Sequence, residues 1–242
     1  WNKLEGKFEN TALHVYQNNE MHLVSTKKEE KNQKFIPMKL VEKFCYQKHE
    51  NNLLIYLRNT YNNTKVDWVK ELYYIGTSKD LGTIFWNINS KYKVQKAKVS
   101  YYKLNGKRTN KFKVPYKNED GYYSCLFGEH LINKNENREN PIVLVESEKT
   151  AIICAIHFPE YIWLSYGGIN GLTNEKTKVL IGRKVLIIPD MSENAITIIK
   201  KKMKIFNEIG IDAKIWEMTN GKTDKQLKKE GLYNCDLEDV FR

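Results

Sequence analysis

The chain has 242 residues with a formal net charge of +11, and 41% of its residues are hydrophobic. This length allows one large domain or two modest ones with a buried core, and the composition is that of a globular protein. No apolar run reaches the length of a membrane span and no signal peptide precedes the fold, so we expect a cytoplasmic protein without membrane contact. Because the chain begins at Trp1 rather than Met, we expect that an upstream part has been removed.

The four cysteines do not form a recognisable metal or disulfide pattern. They lie far apart, with no C-x-x-C pair among them. Closely spaced cysteines mark small disulfide-rich domains and zinc sites. We therefore expect reduced thiols, as in the cytosol, and no structural zinc.

Three regions follow one another along the chain. Residues 1–35 are polar and end in the charge run KKEEKNQK, which is typical of a loosely ordered segment. Residues 36–140 are predicted to form a basic α+β subdomain that binds nucleic acid. Residues 141–242 are predicted to form an α/β domain with a C-terminal tail.

Helix-start signals open the second region. Pro37 can begin a first helix, and Asn51 can cap a second one over LLIYLR. Thr64 and Asp67 have the spacing of a capping box for a third helix, and Gly76 is a plausible stop. These signals predict three short helices before the first strand, GTIFWNI.

The stretch 91–117 is the most basic part of the chain. It carries ten Lys or Arg residues and no Asp or Glu. Asn105-Gly106 predicts a type I′ turn joining two strands into a hairpin. Cations favour a phosphate backbone through counterion release, and interleaved aromatic rings stack on unpaired bases. We predict contacts to single-stranded DNA from Lys98, Tyr101, Lys103, Lys107, Arg108, Lys111 and Lys113; the alternative is the solvated surface of a lysine-rich protein.

A different pattern begins at Pro141. The runs PIVLVE, YIWLS, RKVLIIPD and AKIWEM are short, apolar and separated by helical stretches. Buried parallel strands joined by right-handed crossovers have this character. We therefore predict an α/β fold with a compact parallel sheet flanked by helices, preceded by the basic α+β subdomain.

Polar or flexible residues follow three of the predicted strands. Glu146 ends the first, Gly167 and Gly168 follow the second, and Asp190 ends the third. Because the carboxyl ends of parallel strands share one edge of a sheet, we expect these residues to meet there. Carboxylates are ligands that Mg²⁺ prefers, so this edge is a predicted site for Mg²⁺ or Mn²⁺ bound to phosphate.

The segment from Pro141 to Met218 resembles a Toprim domain, the metal-dependent module of bacterial primases, topoisomerases and some nucleases. VESEKTA is similar to the E-x-E-K start of phage primase-helicases, YGGINGL resembles their glycine turn, and GKTDKQLKKEG is faintly similar to an acidic element after the Toprim core. With YYIGTSKD and CLFGEHL, the whole chain resembles primase-like proteins carried on mobile elements of Bacteroides-type bacteria. The resemblance implies a catalytic or metal role for Glu146 and a metal-ligand role for Asp190.

The chain departs from the D-x-D pattern of Toprim domains at its second acid. Ser192 stands at that position, and Glu193 follows it. Either Glu193 reaches the metal, or Ser192 caps a helix and Glu193 merely favours the helix dipole. Asp224 is a further, weaker candidate acid.

Other residues near the predicted edge also have two interpretations. Lys149 either contacts a phosphate as a catalytic residue at the helix start or is a solvated first-turn lysine. Gly167, Gly168 and Gly171 are predicted to let a backbone approach the substrate closely. Glu148 is predicted to lie on the surface, and the acidic residues of CDLEDVF to form a solvated helix end.

The resemblance implies a primase. We expect Mg²⁺-dependent nucleotidyl transfer from nucleoside triphosphates on single-stranded DNA, for primer synthesis in mobile-element replication, with a helicase or another replication protein as a candidate partner. The alternatives are a non-catalytic DNA-binding module with a degenerate Toprim site and, third, a Toprim nuclease. No G-x-x-x-x-G-K-[ST] motif occurs in the sequence, so no helicase motor is expected in this chain.

Overall fold

The computed structural model describes residues 32–134 and 139–241. The predicted loosely ordered segment 1–35 therefore lies outside the described residues, apart from its last positions. Lys34–Arg242 forms one compact unit. Within the described ranges, every helix is too short or too polar to span a bilayer.

Three helices come first in the described chain. Asn51 caps the second of them by accepting a hydrogen bond from the Leu54 N–H, as predicted. The third is capped by Asn62 rather than by Thr64, because the Asn62 side chain accepts from the Thr64 N–H. Thr64 thus lies inside the first turn, and the predicted capping box is wrong. The helices are α1 (Met38–Cys45), α2 (Asn52–Thr60) and α3 (Asn63–Leu72).

An antiparallel sheet follows, with its strands in chain order. The predicted basic hairpin is confirmed as the pairing of β3 with β4. The predicted type I′ turn is wrong, because it needs two residues with positive φ and only Gly106 has one within the turn, at 76°. Gly106 is required there, since a Cβ would lie 2.6 Å from the ring of Tyr56. The strands are β1 (Gly76–Thr77), β2 (Thr83–Ile88), β3 (Val94–Tyr102) and β4 (Arg108–Lys113).

The four apolar runs after Pro141 form a parallel sheet in the order β6-β5-β7-β8. Strands β5 and β6 are buried along their whole length, as expected for strands covered on both faces. The elements are β5 (Ile142–Val145), α4 (Glu148–His157), β6 (Ile162–Ser165), α5 (Asn174–Thr177), β7 (Lys184–Ile188), α6 (Glu193–Glu208), β8 (Asp212–Ile215), α7 (Asp224–Glu230) and α8 (Leu237–Val240).

The predicted fold class is confirmed: the protein is mixed α/β, with a four-stranded parallel sheet flanked by helices. One hydrophobic core contains residues of α2 and α3, such as Leu57 and Val69, together with β5 and α4. A smaller core around Trp86 lies on the other face of the antiparallel sheet. Because the larger core is shared across the predicted boundary at residues 140 and 141, the division into 36–140 and 141–242 stays a prediction.

Candidate active-site cleft

A cleft of about 270 Å³ lies at the carboxyl end of the parallel sheet. Three parts of the chain surround it: the basic hairpin, the loops after β5, β6 and β7, and a segment just before the C-terminal helix. Its lining residues are Lys98, Tyr102, Arg108, Glu146, Ser147, Lys149, Gly167, Gly168, Asp190, Asn234 and Asp236.

Glu146 and Asp190 are brought together by the pairing of β5 with β7. The two strands run parallel with Val145 opposite Ile188, so the residues that follow leave the sheet side by side. Both carboxyl side chains line the cleft. The structure thus unites the two acids that the strand-end argument expected to meet.

Three of the residues that line the cleft are acids: Glu146, Asp190 and Asp236. Burial, followed by the nearby carboxylates of Glu146 and Asp236, raises the pKa of Asp190 to about 8. Burial also raises the pKa of Glu146, against a backbone hydrogen bond from Ile169 and the charge of Arg108, which lower it. A group in this setting is most easily ionised when a cation lies beside it.

The donor set fits a small hard cation. Among the described residues, no group of three or more His, Cys, Asp or Glu side chains is arranged to hold a metal ion. Mg²⁺, however, keeps several waters and is commonly held by one or two carboxylates together with substrate phosphates. Glu146 and Asp190, lining one cleft, meet that requirement, and Mn²⁺ prefers the same oxygen ligands.

The helix after Asp190 settles the role of Ser192. Its hydroxyl oxygen accepts a hydrogen bond from the Ala195 N–H at 3.1 Å and caps α6, so the capping interpretation is confirmed. The structure does not bring Glu193 into the cleft. The Glu193 carboxylate accepts from the Asp224 N–H at 2.9 Å, while the Glu193 N–H donates to the Asp224 carboxylate at 2.8 Å. The Glu193 side chain is therefore directed to the start of α7. Asp224, its partner there, is also outside the cleft lining.

Lys149 lines the cleft but is not a solvated lysine. Its ammonium donates to the carbonyl oxygen of Gly106 at 3.2 Å and pairs with Glu238 at 2.5 Å. The Lys149 side chain is only 14% exposed. It therefore connects the tip of the hairpin, the start of α4 and the C-terminal segment.

The C-terminal acidic residues are not a solvated helix end, so that prediction is wrong for two of them. Asp236 lines the cleft and accepts a hydrogen bond from the Thr150 hydroxyl at 2.5 Å. Glu238 is 1% exposed. Sequence reasoning missed Asp236: its capping-box spacing with Asp239 indicates a helix start, but no local signal places it beside Asp190.

The glycine turn after β6 closes one side of the cleft. Gly167 and Gly168 have φ values of 79° and 109°, and both N–H groups donate to the carbonyl oxygen of Glu146, at 3.0 and 3.1 Å. Gly171 is outside the cleft lining. It is required for packing, because a Cβ there would lie 1.9 Å from the carbonyl oxygen of Tyr166.

Lys98 joins the hairpin to the first turn of α4 through an ion pair. Its ammonium lies 2.8 Å from the carboxylate of Glu148. Glu148 is 5% exposed, so its predicted surface position is wrong. The pair holds β3 against the first turn of α4 and keeps a cation at the cleft wall.

The remaining hairpin cations that were predicted to contact DNA fall into two groups. Asp80, which lies outside the basic stretch, pairs with Lys113 at 2.6 Å and with Lys111 at 3.8 Å, and it accepts a hydrogen bond from the Tyr101 hydroxyl at 2.6 Å. One side of the hairpin is therefore partly neutralised. The second group is exposed and makes no ion pair with any residue in the described ranges; it comprises Lys103, Lys107 and Arg108.

The comparisons with solved structures define the class of fold. The chain is similar to the structure of a DnaG catalytic core, with a TM-score of 0.58 and 13% identity over 80% of this chain and 74% of that one. A DnaG primase catalytic domain bound to single-stranded DNA gives 0.56 and 12%, over 80% and 73%. The RNA polymerase domain of Mycobacterium tuberculosis DnaG gives 0.53 and 10%, over 81% and 80%. The protein therefore has a primase-like fold.

The sequence comparisons place the chain in a family. Residues 51–191 match DUF6371, described as a domain of unknown function. This match covers more than half of the chain, which therefore belongs to that family. No curated protein matches the sequence.

Proposed function

We propose that the protein is a primase-like nucleotidyltransferase that synthesises primers on single-stranded DNA from nucleoside triphosphates with Mg²⁺ or Mn²⁺. The observation that carries the proposal is the cleft itself, where two carboxylates from adjacent strands face cations of the basic hairpin. The likeness to primase catalytic cores supports it. Primer synthesis for a mobile element, with a helicase or another replication protein as partner, belongs to the same proposal, as does a Toprim assignment of the parallel sheet.

In this proposal Glu146 and Asp190 hold the metal ion. The bound ion would supply stabilisation of charge on the reacting phosphate and activation of the attacking oxygen. A carboxylate at this edge can also accept the proton of the primer hydroxyl as that oxygen attacks the nucleotide phosphate and pyrophosphate leaves. The backbone around Gly167 and Gly168 leaves room for the substrate at the same edge.

The cations of the cleft bind the phosphates. Arg108 lines the cleft and offers a planar guanidinium that can donate two hydrogen bonds to one phosphate. Lys149 acts chiefly as a positioning residue in this proposal, because its ammonium is already shared between Gly106 and Glu238. Lys98 balances Glu148 and adds positive charge to the cleft wall.

The hairpin guides the template strand toward the carboxylates. We propose that Lys103, Lys107 and Arg108 contact its phosphates most strongly, because Asp80 already attracts Lys111 and Lys113. Tyr101, Lys111 and Lys113 contribute less to this contact.

A non-catalytic DNA-binding module is the second candidate. The observation that favours it is Ser192, whose hydroxyl is committed to capping α6 where the Toprim pattern has an acid. Such a protein would bind DNA through the hairpin and leave it unchanged.

One assay separates these functions. The protein is incubated with single-stranded DNA, labelled nucleoside triphosphates and Mn²⁺, next to Glu146→Gln and a control, Glu160→Gln, which alters an exposed residue. The primase proposal is supported if the unmodified protein and Glu160→Gln make labelled oligonucleotides and Glu146→Gln makes none. Shortened DNA would instead identify a nuclease, and retarded but unchanged DNA with all three proteins would identify a binding module.

A further inference from the structure

The loop after β7 lacks an acid that the proposed site would use. Ser192 is 4% exposed, and its hydroxyl accepts from the Ala195 N–H. It carries no charge and caps the longest helix of the parallel-sheet region. Negative charge next to Asp190 must come from another part of the chain.

The C-terminal segment is held directly against this loop. The Met191 N–H donates to the carbonyl oxygen of Cys235 at 2.9 Å, and the Asn234 N–H donates to that of Met191 at 3.0 Å. Such a reciprocal pair fixes the two backbones relative to each other. Residue 236 thereby enters the same cleft as Asp190.

The Asp236 side chain is held in place from two sides. One carboxylate oxygen accepts from the Thr150 hydroxyl at 2.5 Å, and the other accepts from the Asp239 N–H at 3.2 Å. A carboxylate has about four acceptor positions in all, so these two contacts orient Asp236 and leave capacity toward the cleft.

The residues after Asp236 anchor it further. Leu237 is 2% exposed and belongs to the main core. Glu238 is buried and pairs with Lys149. The segment is therefore packed into the fold, and the charge of Asp236 has a defined position.

We propose that Asp236 supplies the acidic charge that Ser192 cannot, and that it stabilises a divalent cation held by Glu146 and Asp190. This inference rests on the proposed function. Since no three acids in the described ranges can hold one ion together, Asp236 acts through its charge and through water bound to the ion. It is a positioning residue of the metal site. Its influence on the pKa values of Glu146 and Asp190 agrees with this role.

The test is Mn²⁺ binding by calorimetry to the full chain at pH 8.5, without nucleotide or DNA. Asp236→Asn keeps the shape of the side chain and removes its charge. Partners that orient groups around a metal typically contribute about 10- to 100-fold to affinity, and we expect a loss in that range. The matched control is Asp212→Asn. Asp212 is exposed and lies at the start of β8, the end of the strand away from the cleft. The Mn²⁺ affinity of this variant should stay within about two-fold of that of the unmodified protein on the same scale.

The outcomes distinguish this inference from the proposed function. If Asp236→Asn binds like Asp212→Asn while Glu146→Gln loses binding, the role of Asp236 is refuted and the metal site stands. If Glu146→Gln also binds normally, the metal site of the proposed function fails as well.

A second measurement needs no variant and so does not depend on correct folding of one. Mn²⁺ is titrated into protein with ¹³C-labelled Asp carboxyls, because a paramagnetic ion broadens only nearby signals. We expect the signals of Asp236 and Asp190 to broaden together while that of Asp212 stays sharp. An Asp236 signal that remains sharp when Asp190 broadens would overturn the inference.

Discussion

Asp190→Asn should make the protein more stable at alkaline pH, even though it alters a residue of the proposed site. Asp190 is half-buried and faces the carboxylates of Glu146 and Asp236. The amide has nearly the same shape and carries no charge. The substitution therefore removes the cost of burying a charge, and with it the repulsion by neighbouring carboxylates, that the metal-free protein has to bear.

The size of the effect follows from the pKa of Asp190, which is about 8 in the fold against a reference of 3.8. Between these pH values the folded state binds more protons than the unfolded state, so stability falls as pH rises. Each unit of pKa corresponds to about 1.36 kcal/mol. The full penalty above pH 8 is then on the order of 5 kcal/mol, and it vanishes below pH 4.

The free energy of unfolding would be measured by urea denaturation at pH 4.5, 7 and 8.5 in the presence of a chelator, with Asp212→Asn as control. We expect Asp190→Asn to gain stability over the unmodified protein as pH rises, and the control to follow the unmodified protein. Adding Mn²⁺ should stabilise the unmodified protein at pH 8.5 and leave Asp190→Asn nearly unaffected. Parallel pH curves for the Asn variant and the unmodified protein would refute the electrostatic reasoning.

Three further predictions concern packing and ion pairs. Gly171→Ala should lower the melting temperature strongly or prevent folding, because its Cβ would lie 1.9 Å from a backbone carbonyl oxygen. Gly168→Ala is the control, because its Cβ would meet open space. Melting curves should show that it costs only the roughly 1–3 kcal/mol of a strained φ. Lys98→Met should destabilise the protein by about 3 kcal/mol, because it leaves Glu148 buried without its cation. In urea unfolding, the Lys98→Met, Glu148→Gln double variant should regain stability relative to Lys98→Met. A double variant as unstable as Lys98→Met would contradict the pairing. Burial lowers the pKa of His130 to about 4 from 6.5. Between these pH values the folded state binds fewer protons than the unfolded state, so stability should fall by about 3 kcal/mol as pH drops through that window. A His130→Gln variant that loses stability equally steeply in acid would argue against this prediction.

The local elements of this fold were predictable from short stretches of sequence. The apolar runs after Pro141 became four parallel strands, and Asn51 capped the helix that follows it, because burial patterns and caps depend on neighbouring residues. The meeting of Glu146 and Asp190 followed from one general rule, that parallel strands end at a common edge. Where two signals compete within a few residues, as at Asn62 and Thr64, the backbone conformation decides between them.

Charge partners were not predictable, because they join residues that are distant in sequence. Asp80 reaches the hairpin from outside the basic stretch, Glu148 is buried only because β3 presents Lys98 to it, and Asp236 bonds to Thr150 across 86 residues. An isolated charge in a sequence is assigned to solvent by default, since burying it unpaired costs several kcal/mol. The sequence by itself determined the strands, the helices and the two acids at the sheet edge, since these depend on local pattern and strand direction. Only the tertiary structure decided which charges neutralise one another and that the C-terminal segment completes the cleft, because those pairings require surfaces that exist only after the two sheets and the tail have packed.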